Sequence, residues 1–161
     1  MSLDADILND FFEESNTIIT ESIELLEEME GDFSQKESLK VFANKIDRIM
    51  GAAASIAMMA EPDHGLNLVT DYTSLCKVVA YKAAEIQDNS KLYDVTVALL
   101  LDAVEALNVL IKKIDLPMVE LKKVISPNFI ERLRWISEQF SKQNSLKAQS
   151  EIDDLMKKLG F

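Results

Sequence analysis

The chain has very little glycine and proline. Four glycines and three prolines in 161 residues leave few places to turn, so the elements are expected to be long. One cysteine, Cys76, excludes an internal disulfide; its neighbours "SLCKVV" are mostly apolar, which reads as a buried structural thiol. One histidine, His64, and that one cysteine cannot make a zinc site from those residue types, and no metal or cofactor is expected. No glycine-rich phosphate loop and no nucleophile elbow is present. No apolar run reaches the roughly 18 residues of a membrane span. The opening "MSLDADILND" shows no basic stretch before an apolar core, so no signal peptide is expected and the cytoplasm is the expected compartment. Basic residues are outnumbered, 17 against 28 acidic. The net charge of -11 argues against nucleic acid and anionic membranes and favours a partner with a basic surface.

What is present is helical periodicity almost throughout. From Asp4 to Glu30, apolar residues recur at three- and four-residue steps through Ile7, Phe11, Ile18, Ile19, Ile23, Leu26 and Met29, and Gly31 is a natural stop. Ser34 and Glu37 in "SQKE" predict a capping box opening a second helix, which carries Leu39, Phe42, Ile46, Ile49 and Ala53 and fades near Met59. "AEPDHG" is a break. A third helix is predicted from there to about Gln87, and a fourth from Lys91 to Ile114, separated by "DNS". Four long helices with short turns predict an all-α, up-and-down four-helix bundle over 1–116. Additional C-terminal helices are predicted over 117–143: a short one in "MVELKKVI", and one opened by Ser126 and Pro127 whose Phe129, Ile130, Leu133, Ile136 and Phe140 share a face, with Trp135 at its edge. The polar "SKQNSLKAQS" reads as a linker, and 144–161 as linker plus a closing amphipathic helix, "EIDDLMKKLGF".

The segment "LKVFANKIDRIMGAAAS" resembles the phosphoacceptor helix of histidine phosphotransfer (HPt) domains, especially those of the chemotaxis kinase (CheA) kind. In that family a histidine is followed three residues later by a lysine, then by glycine and small residues. Aligned on Gly51, the histidine position holds Asp47 and the lysine position Met50. "VTDYTSLCKVVAYKAAE" and "LYDVTVALLLDAVEALNVLI" resemble the family's third and fourth helices. The resemblance implies an HPt-like bundle that is inactive in phosphotransfer, since a carboxylate does not replace imidazole as a phosphoryl shuttle and Met50 offers no charge to phosphate oxygens. The small residues Gly51 to Ala54 serve either close helix packing or a low docking surface. His64, in the break, is the one alternative phosphoacceptor for a relay reading.

A second resemblance lies in "QSEIDDLMKKLGF", which is similar to the C-terminal helix by which chemotaxis phosphatases of the CheZ kind bind the response regulator CheY. The matching residues are Ile152, Asp153, Asp154, Leu155, Met156, Leu159, Gly160 and Phe161. The resemblance implies a CheY-like regulator as partner. Helical spacing puts Ile152, Leu155, Met156 and Leu159 on one face, and Gly160 ends the helix and lets Phe161 turn into a partner pocket. Asp153 and Asp154 are expected in the first turn, where the helix dipole favours anions.

Two functions share that tail. In one, the protein is a binding module for the regulator. In the other it is a phosphatase for the regulator's aspartyl phosphate, where an acid engages the regulator's lysine and an amide orients water. Asn44 and Asp47, three apart on the second helix, are the candidate catalytic pair; Glu13 and Asn16 on the first are a second acid–amide pair. Any Mg2+ would belong to the partner regulator.

Overall fold

A computed structural model describes residues 3–143 and 146–161, and the described chain is all-helical. Four long helices come first: α1 (Ala5–Met29), α2 (Ser38–Ala57), α3 (Gly65–Ala84) and α4 (Ser90–Lys112). Three more follow, α5 (Met118–Lys122), α6 (Pro127–Gln143) and α7 (Leu146–Lys158). Among the described residues no helix is long and apolar enough to cross a membrane.

Short polar side chains set the helix starts. The Asp4 carboxylate accepts from the Asp6 amide at 2.8 Å, the Asn89 side chain from the Leu92 amide at 3.0 Å, and the Ser126 hydroxyl from the Phe129 amide at 3.1 Å. The α1–α2 connection differs from the sequence expectation. Asp32, not Ser34, is the cap: its carboxylate takes the Ser34 amide and hydroxyl and opens a 3-10 turn, Phe33–Gln35. Ser34 therefore lies inside that turn and α2 starts only at Ser38, so the capping box does not form, and Glu37 precedes α2 without a side-chain cap. The expected linker is mostly helix as well. Ser141 to Gln143 end α6, and α7 begins at Leu146, with Asn144 and Ser145 outside the described residues.

Each long helix contacts the next, and α1 also contacts α4. Two ion pairs set α2 antiparallel to α1. Arg48 meets Glu14 and Lys45 meets Glu21 between α2 and α1. The buried Tyr72 hydroxyl donates to the Ala103 carbonyl at 2.7 Å between α3 and α4, and Tyr93 donates to the Met29 carbonyl at 2.8 Å. The helix α6 packs on α4 through its buried face of Phe129, Ile130, Leu133, Ile136 and Phe140, with Trp135 45% exposed at the edge. The helix α7 lies on α3 and α6.

Two glycines behave oppositely. At Gly65, the first residue of α3, an added Cβ would fall 2.5 Å from the Ile114 carbonyl oxygen and 2.7 Å from the Leu121 side chain. At Gly51, inside α2, it would meet nothing within 4 Å. Gly65→Ala is therefore expected to destabilise by about 1–3 kcal/mol, as overpacking does. Gly51→Ala should stabilise by about 1 kcal/mol, since glycine inside a helix costs about that much relative to alanine. Urea unfolding midpoints check both; shifts of the same sign would contradict the packing described.

Candidate functional site

On α2, Asp47 and Met50, which take the histidine and lysine positions of the phosphoacceptor pattern, and the candidate catalytic Asn44 all face α3, and each has a partner there. Asn44 accepts a hydrogen bond from the Tyr81 hydroxyl through Oδ1 at 2.6 Å. Asp47 accepts from the Lys77 ammonium at 2.9 Å. Met50 accepts from the Ser74 hydroxyl through its sulfur at 2.9 Å. Three residues at three-residue spacing down α2 thus match Tyr81, Lys77 and Ser74 on α3 in reverse order, a polar ladder across an antiparallel seam. Asn44 and Asp47 remain exposed at its rim. The structure brings the candidate pair together on one face, and each is engaged by an α3 side chain.

Gly51 is exposed beside this ladder, while Ala53 is fully buried. Packing explains Ala53. It does not explain Gly51, whose missing side chain leaves only a lower surface. The other acid–amide pair, Glu13 and Asn16, is exposed on α1, where Asn16 lines a shallow groove with Phe12, Ile19 and Ile111. His64 is the N-cap of α3: its Nδ1 accepts from the Leu66 amide at 3.1 Å. Cys76 is buried, and burial pushes its thiol up to about 12. Among the described residues no group of three His, Cys, Asp or Glu could hold a metal ion.

The second candidate region is α7. Its apolar stripe faces the protein itself: Ile152 is 0%, Met156 3% and Leu159 1% exposed, and Leu155 and Phe161 are half-buried. One ion pair reaches across to α3, Lys82 with Glu151 at 3.7 Å. Asp71 of α3 is half-buried, and burial holds its carboxyl above the usual range while Lys158 of α7 and Lys122 of α5 pull it back. The C-terminus of α7 closes in a Schellman turn. Gly160 adopts φ +91°, its amide donates to the Lys157 carbonyl at 3.0 Å, and the Phe161 amide donates to the Met156 carbonyl at 2.9 Å. That turn folds Phe161 back into a cleft it lines with Met156, Arg134 and Glu138. The acids are placed differently from the sequence expectation. Because α7 starts at Leu146, Asp153 and Asp154 are mid-helix, where the N-terminal dipole does not reach. Asp154 is exposed and Asp153 half-buried on the cleft.

None of the family models, curated proteins or solved structures compared with the chain matches it. The functional reading therefore rests on the chain's own residues.

Sequence reasoning missed Ser74, Lys77 and Tyr81. Lys77 and Tyr81 are four apart on α3, so a polar stripe was there to be seen, but not its register with α2. Two outcomes check this geometry by urea denaturation. His64→Ala should cost about 1 kcal/mol, and His64→Asn should keep most of it, because asparagine also caps. An unchanged midpoint in His64→Ala would contradict the cap. A double-mutant cycle between Asp47 and Lys77 should give a coupling of roughly 0.2–1 kcal/mol, the range of exposed pairs.

Proposed function

We propose that the protein binds a CheY-like response regulator through α7, and that its HPt-like, up-and-down bundle does not carry phosphate. The observation that carries this reading is the form of α7: a discrete amphipathic helix closed by a glycine turn that folds Phe161 back beside the apolar stripe. Such a helix is suited to lying in an apolar groove, and in this chain it already lies in one, between α3 and α6. The regulator's groove and the chain's own groove then compete for Ile152, Met156 and Leu159. Burial of three such side chains contributes roughly 1.5–3 kcal/mol each, and much of that is offset by ordering the segment. Release of α7 is accordingly within reach of a binding partner, with Leu155, Asp154 and Phe161 available for first contact.

The α2 surface supports the absence of phosphotransfer. Asp47 in the histidine position is held by Lys77, and the Met50 sulfur in the lysine position is held by Ser74. The open Gly51 surface supports a docked regulator close to this ladder.

A second reading, a phosphatase, is favoured by one observation: Asn44 and Asp47 are exposed together on that surface. Asp47 would exchange Lys77 for the regulator's lysine, which costs little because the existing pair is exposed. Asn44 would position the attacking water.

One experiment separates the readings. The full chain is titrated against a CheY-like regulator with and without a phosphoryl mimic, and decay of the phosphorylated regulator is followed in parallel. Phe161→Ala should weaken binding about ten- to a hundredfold, because each 1.4 kcal/mol is about tenfold. Asn44→Ala and Asp47→Ala should leave binding unchanged. Accelerated decay that both variants slow by roughly 10² or more supports the phosphatase. No acceleration by the unaltered chain leaves the binding module, and no binding by the full chain removes both.

A further inference from the structure

Exposed large apolar side chains are not scattered over this molecule. Of the seven among the described residues, five stand at one end of the long helices, where α1 and α3 begin and α2 and α4 end: Ile7, Met58, Met59, Leu116 and Val119. Met58 is 88% exposed, more than any other large apolar side chain described. Met58 and Met59 sit together with Leu3 and Ile7 around a notch, whose lining also includes Ala60 and the carboxylates Asp4 and Glu61. Methionine is flexible and polarisable, and it suits a surface that must adapt to a partner's apolar side chains.

Charge decides what kind of partner fits. The chain carries 28 acids and 17 bases, yet up to Gln35 it has 11 acids and no lysine or arginine. The remainder, 28 less 11, leaves 17 acids against 17 bases, so the whole net charge of -11 originates on α1 and its flanks. The notch opens at the start of that helix, and among the described residues its lining contains two carboxylates and no lysine or arginine. A second copy of the chain would bring the same acids face to face, and an anionic membrane would be repelled. An apolar floor with an acidic rim complements an amphipathic helix whose apolar stripe is bordered by lysine or arginine.

We propose that this notch docks a basic amphipathic helix from a partner protein, at a place separate from α7. The acids supply encounter rate and orientation, and the two methionines and Ile7 supply the contact. The proposal does not depend on the regulator reading.

The test uses the full chain labelled at the methionine methyl groups and a synthetic leucine–lysine peptide of roughly 18 residues, about five helical turns. Its leucine–glutamate counterpart is the control. The lysine peptide should saturably shift the methyl signals of Met58 and Met59. Glu61→Gln and raised salt should each weaken it several-fold, and a Met58→Ser, Met59→Ser double variant at least tenfold. Equal binding of the glutamate peptide would overturn the proposal. So would shifts that leave Met58 and Met59 unmoved, since that is mere attraction to acidic α1. Burial of the same methyls by self-association, seen as a dimer in sedimentation, would overturn it in favour of a second copy.

Discussion

The burial of α3 is the constraint on which the rest depends. Twelve of its residues are buried, from Gly65 at its start to Ala84 at its end, and α2, α4, α5 and α7 all contact it. A helix covered on so many sides must satisfy its polar groups internally. Thr70 and Thr73 do so by donating to carbonyls one turn back, and the Tyr72 hydroxyl reaches the Ala103 carbonyl. Its start is fixed from two directions, by the His64 cap and by the contact of Gly65 with Ile114 and Leu121. With α3 placed, the ladder of Asn44, Asp47 and Met50 has its partners, and α7 has a groove.

This arrangement gives the two candidate regions different characters. The α2–α3 ladder has two exposed polar pairs, Asn44 with Tyr81 and Asp47 with Lys77, and these can change partners without disturbing the core. The α7 groove is apolar, and it already buries Ile152, Met156 and Leu159, the side chains on which the proposed regulator binding would draw. The ion pair of Lys82 with Glu151 is long and partly exposed, so it guides α7 more than it fastens it.

The helices were legible because apolar spacing is a local property: α1 to α4 and the buried face of α6 follow it closely. The N-cap at Ser126 was legible for the same reason. Local reading failed where residues compete. Asp32 outcompetes Ser34 for the cap because its carboxylate takes both the Ser34 amide and its hydroxyl. "SKQNSLKAQS" lacks apolar spacing and reads as a linker, yet its ends extend α6 and α7, and that extension moves Asp153 and Asp154 out of the first turn. The partners of Asn44 and Asp47 lie 37 and 30 residues away, and no local pattern sets that register. The docking of α7 was not legible at all: an amphipathic stripe has the same spacing whether it faces its own bundle or another protein.

The central claim is that one apolar face of α7 serves two grooves in turn. It is tested most directly by comparing the affinity of a CheY-like regulator for the full chain and for a peptide spanning 151–161. The account predicts that the isolated peptide binds severalfold tighter than the full chain, because it has no docked state to leave. It also predicts that Lys82→Glu, which sets like charge against Glu151, moves the full chain toward the peptide's affinity. A peptide that fails to bind, or a full chain that binds tighter than the peptide and is indifferent to Lys82→Glu, would contradict it.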